Sequence, residues 1–346
     1  MPDTGSTTPL RVGIAGYGLA GEVFHAPLVD AVDGLEVAAI VTTDEARIAK
    51  ARAAFPGARV VPSVDELWEH VDVFVIATPN RFHGELALAA IERDIPVVVD
   101  KPFASTAEEA ERIVAAGGRV TVFQSRRWDG DFLTARRLVD EGALGTVLRM
   151  ESRFERFRPQ VGGGCRELGD AAAGGGQLLD LGAHLVYQAV VLFGVPTHVY
   201  AEVGRRRPGA QADDDVFVAL EHPDGVRSHH WMSAIAPLCG PRLALSGLAG
   251  GFAVDGLDPQ EDQLKAGLRP GAPGFGERPA GRFVTEEGAR EQPIEPGRYA
   301  DYYAAVRDWV RGGGPPPVDP RDSLTVLRIL EAARHSARAH EVVRFA

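Results

Sequence analysis

Five short, almost unbroken apolar runs, each followed by an amphipathic stretch, leave the first third of this 346-residue chain few folds to choose from. Val12–Gly16, Val37–Val41, Val73–Ala77, Val97–Val99 and Val120–Phe123 are short and rich in β-branched residues, as strands buried on both faces are. Between them, Leu19–Val29, Asp44–Ala54, Val64–His70, Gly84–Glu92 and Thr106–Ala116 carry helical spacing. Such alternation predicts a parallel sheet with helices on both faces, and right-handed crossovers make it doubly wound. The expectation is a Rossmann-type α/β domain over residues 1–123, with Met1–Pro9 as a disordered polar tail.

The first strand runs straight into Gly16-Tyr17-Gly18-Leu19-Ala20-Gly21, a G-x-G-x-x-G pattern. The chain holds 40 glycines, so the pattern alone says little. Its position between a strand and a helix is what makes it specific. Gly16 allows the tight turn, Gly18 lets the backbone approach a pyrophosphate, and Gly21 lets helix and strand pack closely. The pyrophosphate charge then meets the free amides and positive dipole end of the helix. A site specific for NAD places an acidic side chain at the end of the second strand. Here that strand ends in Thr42-Thr43-Asp44, the acidic position falls on Thr42, and Arg47 follows one turn later. Two hydroxyls do not repel a 2′-phosphate. NADP is the expected cofactor, with NAD the alternative because Asp44 stands nearby.

Beyond residue 124 the texture changes. Leu178–Phe193 predicts one long apolar helix, while Val147–Glu155, His198–Val203, Val216–Glu221, Val226–Met232 and Arg242–Ser246 read as strands with no helices between them. Segregation of this kind predicts an α+β domain over residues 124–346, with a large, mostly antiparallel sheet. Gly256–Arg282 reads as a long loop, and helices return at Tyr299–Val310 and Ser323–His335.

Composition excludes several function classes. The net charge of −11 repels phosphate backbones and argues against a nucleic-acid partner. No apolar run approaches the ~20 residues of a membrane helix. With only two cysteines, Cys165 and Cys239, neither a disulfide framework nor a zinc site is expected, and a reducing cytoplasm is the expected location. Asp213-Asp214-Asp215 reads as a solvated turn and not as a metal site. His229 and His230 are adjacent in a strand and so face opposite sides.

Further segments carry a resemblance. Ala77-Thr78-Pro79-Asn80 with His83, Val99-Asp100-Lys101-Pro102, and Leu179-Asp180-Leu181-Gly182-Ala183-His184 accompany the glycine turn. With these, the chain resembles the glucose-fructose oxidoreductase / inositol dehydrogenase family (Gfo/Idh/MocA) over nearly its whole length. Val23–Leu28, Arg126–Phe132, Phe157-Arg158-Pro159 and Gln260-Glu261-Asp262 are similar to its NADP-dependent scyllo-inositol dehydrogenase branch. The resemblance implies hydride exchange with a polyol or sugar, and a homodimer or homotetramer formed through the second-domain sheet. It also places Thr78, Pro79, Asn80, His83, Asp100, Lys101, Arg127 and Trp128 beside the cofactor. The chain departs from the family at Asp100 (for glutamate), Ser125 (asparagine), Cys165 (tryptophan), Tyr187 (aspartate) and along Gly162–Gly176. Those positions bear on which substrate is taken.

Oxidising a secondary alcohol sends a hydride to the cofactor and a proton to the protein. Asp180 and His184 stand i, i+4, which puts both on one face of a single helix. His184 is the expected general acid/base, because imidazole titrates near neutrality. Asp180 is expected to orient the imidazole or a substrate hydroxyl. Lys101, at the carboxyl end of a parallel strand, is expected to polarise the substrate oxygen. It is one of three lysines among 37 basic residues, and arginine stays protonated at any working pH. Arg126, Arg127, Arg153, Arg156, Arg158 and Arg166 are dense enough to suggest an anionic ligand, although pairing with neighbouring acids is the plainer reading. The alternative functions are a keto-reductase for a modified or nucleotide-linked sugar, and a non-catalytic NADP-binding protein.

Overall fold

The computed structural model describes residues 8–162 and 175–345. Most of the expected tail, Cys165, Arg166 and most of Gly162–Gly176 lie outside the described residues.

The first unit is a six-stranded parallel sheet. Its strands are β1 (Leu10–Ala15), β2 (Leu35–Val41), β3 (Arg59–Val61), β4 (Val73–Ile76), β5 (Val97–Asp100) and β6 (Val120–Phe123), in the order β3-β2-β1-β4-β5-β6. Val73 to Ile76 and Val97 to Val99 are fully buried, because helices cover both faces. Those helices are α1 (Ala26–Asp30), entered through a π-helical turn at Ala20–His25, then α2 (Glu45–Ala54), α3 (His83–Glu92) and α4 (Ala107–Ala116). Thr106 caps α4 by accepting from the Glu109 amide at 3.1 Å. The strand order reverses between β1 and β4, and there the glycine turn and Thr78 meet.

Val64–His70 is not the expected helix. Only Trp68–His70 forms a single 3-10 turn, because Leu67 and Val71 are pulled flat onto Gly13, where a Cβ would come within 2.5 Å of Val71. Strand β3 was not anticipated.

The second unit begins with α5 (Gly130–Asp140) and β7 (Val147–Glu155), followed by α6 (Gln177–Asp180) and α7 (Gly182–Phe193). Then come β8 (His198–Gly204), β9 (Asp215–Glu221), β10 (Arg227–Ser233), β11 (Leu243–Gly247), β12 (Gly251–Val254) and a short α8 (Gln260–Lys265). The chain ends through β13 (Gly281–Thr285), β14 (Gly288–Gln292), α9 (Ala300–Val310), α10 (Pro320–Ala339) and β15 (Val343–Arg344). Nine strands form one sheet in the order β14-β13-β12-β11-β7-β10-β9-β8-β15. Its pairs are antiparallel except β7 with β10. Residues alternate strictly: Val216, Val218 and Leu220 of β9 face the core, while Phe217 between them lies half-buried on the outer face. The expected loop Gly256–Arg282 holds α8 and runs into β13. The expected helix Leu178–Phe193 is broken at Leu181. A continuous core joins the two units, with α9 against α1 and α10 packed on α4, α7 and β8.

Candidate active site

The glycine turn has the geometry of a cradle. Gly16 sits at φ +97°, and a Cβ there would lie 2.6 Å from the Ala77 carbonyl oxygen. A Cβ on Gly21 would collide with the Gly16 carbonyl, so helix and strand touch backbone to backbone. A Cβ on Gly18 would meet only the Arg47 guanidinium, at 3.8 Å, which leaves that side open to an approaching phosphate. Tyr17 is buried below the turn, and Leu19 is half exposed above it. These residues fit a dinucleotide.

At the end of β2, Thr42 is buried and Thr43 exposed. The Asp44 carboxylate accepts from the Arg47 amide at 3.0 Å and caps α2. Past β4, Thr78, Pro79 and Asn80 lead into α3. The buried His83 places one ring nitrogen 2.9 Å from the Pro102 carbonyl and the other 3.0 Å from the Thr78 carbonyl. Each ring nitrogen lies against a backbone carbonyl, so His83 ties the loop after β4 to the Lys101-Pro102 loop.

Lys101 leaves the end of β5 and reaches Asp180. Its Nζ donates to Asp180 Oδ1 at 2.6 Å and to the Asp180 backbone carbonyl at 3.1 Å. The second bond goes with the helix break: the His184 amide turns to Leu181 O at 3.0 Å, and the carbonyl of Asp180 faces the lysine. Asp180 and His184 therefore lie on successive short helices, which corrects the expectation of one continuous helical face. The start of α6 is fixed by Asp213, whose carbonyl accepts from the Gln177 amide at 2.9 Å and whose carboxylate accepts from the Leu178 amide at 3.1 Å. Asp213 is buried, and Asp214 is buried against Arg207 at 2.9 Å, so these two aspartates are structural and not solvated, while Asp215 stays part-exposed. Buried His184 packs edge-on to Phe154, with ring centroids 6.2 Å apart.

One cleft joins these groups. It is lined by Leu19 and Ala20 of the glycine turn, Phe24 of the π-helical turn that follows, Asp100, Lys101, Asp180 and His184, together with Ser125, Arg126, Arg156 and Glu261. Burial pushes the Asp100 carboxyl up, but His25, Lys101 and His83 outweigh it and hold that carboxyl below the usual range. His25 itself is fully buried, with Nδ1 2.6 Å from the Tyr303 hydroxyl and Nε2 3.8 Å from Asp100. Arg127 and Trp128 do not line the cleft. Arg127 donates to the Tyr187 hydroxyl at 2.9 Å, and Trp128 packs edge-on to Tyr302. Sequence reasoning gave Arg126, Arg156 and Glu261 no catalytic or cofactor role; arginine density and the resemblance over Arg126–Phe132 and Gln260-Glu261-Asp262 were the signals. Arg126 is buried, donating to Glu261 at 2.7 Å and to Tyr299 at 3.0 Å.

Known proteins share this fold. Residues 10–122 match the oxidoreductase family with an NAD-binding Rossmann fold, and residues 132–253 match the GFO/IDH/MocA C-terminal domain. The chain belongs to the GFO/IDH/MocA oxidoreductase family. Within that family it is 40% identical to the uncharacterized oxidoreductase YdgJ of Escherichia coli, over 95% of this chain and 96% of that protein. It is 33% identical to the scyllo-inositol 2-dehydrogenase (NADP(+)) IolW of Bacillus subtilis, over 96% of this chain and 95% of that one. The solved structure of the Bacillus subtilis protein yvaA superposes with a TM-score of 0.92 at 32% identity, covering 99% of both chains. As a GFO/IDH/MocA oxidoreductase, the chain pairs its parallel sheet with a nine-stranded one, and the cleft lies where they meet.

Proposed function

We propose that this chain is an NADP-preferring dehydrogenase of secondary alcohols on a polyol or sugar, and that Lys101, Asp180 and His184 carry the proton chemistry. One observation supports this reading above the others. A lysine held by a carboxylate at 2.6 Å shares with a buried histidine the cleft that begins at the glycine turn. With its pyrophosphate on that turn, the cofactor would supply through its nicotinamide the hydride acceptor or donor. Asp180 fixes the ammonium of Lys101, which holds the substrate oxygen and stabilises charge developing on it. His184, neutral in the oxidative direction, takes the hydroxyl proton. NADP is favoured because Asp44 is engaged as a helix cap and Arg47 reaches over the turn beside Gly18.

The reading includes a cytoplasmic protein that forms a dimer or tetramer through the outer face of the nine-stranded sheet. Tyr200, Phe217, His229 and Trp231 form a half-buried aromatic row there, with Phe217 and Trp231 centroids 5.1 Å apart. The test is reduction of NADP⁺ and of NAD⁺ with a panel of inositols and aldoses together with their phosphate and uronate forms. Turnover with NADP⁺ preferred is the expected result. No turnover with any of them sinks the reading, and a preference for NAD⁺ sinks its cofactor half.

A further inference from the structure

Three acidic and three basic side chains line the cleft, but they do not all pair with one another. Lys101 is matched by Asp180, and Arg126 by Glu261. Asp100 accepts from the Lys101 amide and faces His25. Arg156 is left over: among the described residues no carboxylate is in ion-pair contact with it. Burial lowers the pKa of its guanidinium, and neighbouring Arg158 and Arg126 lower it further. Glu261 and Asp180 pull the other way, but from beyond contact distance.

The backbone of Arg156 is anchored at the end of the β7–β10 pairing. Its amide donates to Ser233 O at 2.9 Å, and its carbonyl accepts from the Ala236 amide at 3.0 Å as part of an antiparallel bridge between Phe157 and Ile235. Two residues on, the Arg158 amide donates to Ala234 O at 2.7 Å, and the Arg158 carbonyl accepts from Arg207, itself locked to Asp214. Arg156 is an exposed residue of the cleft wall, and a guanidinium there without an ion-pair partner among the described residues is a fork for a planar anion.

Resting on the dehydrogenase reading, we propose that Arg156 selects an anionic substrate, a sugar or polyol bearing a carboxylate or phosphate group away from the carbon that is oxidised. The anion pairs with Arg156 while the reacting hydroxyl lies against Lys101 and His184. Such pairing is present in ground state and transition state alike, so it acts on KM more than on kcat.

The experiment compares glucose with glucuronate and glucose 6-phosphate, and neutral inositols with an inositol monophosphate, in wild type and in Arg156→Ala and Arg156→Lys. The wild type is expected to favour the anionic member by about 10–100-fold in kcat/KM. Arg156→Ala is expected to bring that ratio close to one, chiefly through KM, with Arg156→Lys intermediate. Calorimetric titration of NADP(H) runs alongside. A wild type that uses neutral and anionic members equally overturns the assignment and leaves the dehydrogenase reading standing. If Arg156→Ala weakens cofactor binding and leaves the ratio intact, the arginine serves the cofactor pyrophosphate and the assignment is equally overturned. No turnover with any member sinks both.

Discussion

The two sheets solve the problem of placing functional groups in opposite ways. In the six-stranded sheet the proposed cofactor cradle is mostly main chain: Gly16, Gly18 and Gly21 would act by having no side chain, at the end of a strand that is buried whatever follows it. The proposed proton chemistry rests on side chains, which the nine-stranded half supplies from α6 and α7 to meet Lys101 at the end of β5. The first is a local device, written in six consecutive residues. The second depends on contacts across large separations, such as Lys101 with Asp180 and Arg126 with Glu261. A backbone cradle tolerates many neighbours, whereas a side-chain cluster is only as good as the packing behind it.

If that division is real, binding and chemistry come apart on mutation. The largest effect is expected from Lys101→Arg, which keeps a charge but loses the compact ammonium fitted to Asp180. Turnover should fall by ~10²–10⁴-fold while calorimetric affinity for NADP(H) stays close to wild type. Near-normal turnover, or loss of binding and turnover together, breaks the division.

A second test concerns the packing of the nine-stranded half. Ser152, His230, Ser228 and His222 form a buried chain, with contacts of 2.7, 2.9 and 2.8 Å. Burial pushes His222 below, and His230 well below, the ordinary histidine value. The unfolded chain therefore binds protons near pH 6.5 that the folded chain refuses, so their contribution is complete above that pH and is lost as pH falls below it. The loss should be on the order of 2 kcal/mol by pH 5. Denaturation curves from pH 8 to 5 for wild type and His230→Asn read it directly, with a shallower slope expected in the variant. Equal slopes would remove the histidine chain as the cause.

The smallest effect sharpens the cofactor side. Asp44→Ala removes the α2 cap and should cost about 1 kcal/mol of stability by chemical denaturation. The ratio of NADP(H) to NAD(H) affinity should not move. A change in that ratio would show Asp44 on the ribose and return NAD to favour.

The same contrast explains what could be read in advance. Parallel strands such as Val97-Val98-Val99 are legible because burial on both faces leaves an unbroken apolar run. Strand β14, Gly288–Gln292, is an edge strand with four exposed residues out of five, and its composition carries no strand signal. The break at Leu181 is invisible because apolar spacing continues across it from Leu178 to Phe193. At the break the Asp180 carbonyl accepts from a lysine 79 positions away. Glu261 and Arg126 sit 135 positions apart, and nothing local to either predicts the other. His83 was legible as a residue of interest but not in its role, since its partners are carbonyls in two different loops.

The C-terminal helices carry a consequence for how this protein is made. His25 meets Tyr303 across 278 residues, Thr121 holds the backbone of Val318, and Ala107 donates to Glu331. Buried Tyr302, Tyr303, Val306 and Trp309 belong to the same core as β1. During synthesis at ~5–20 residues per second, β1 to β6 therefore leave the ribosome well before the helices that complete their cover. For ten seconds or more, on that order of rate, the nascent parallel sheet waits with an apolar flank bare. The last fifty residues are thus a closing step for the first hundred, and a chain cut before α9 would leave the cofactor half soluble only with help.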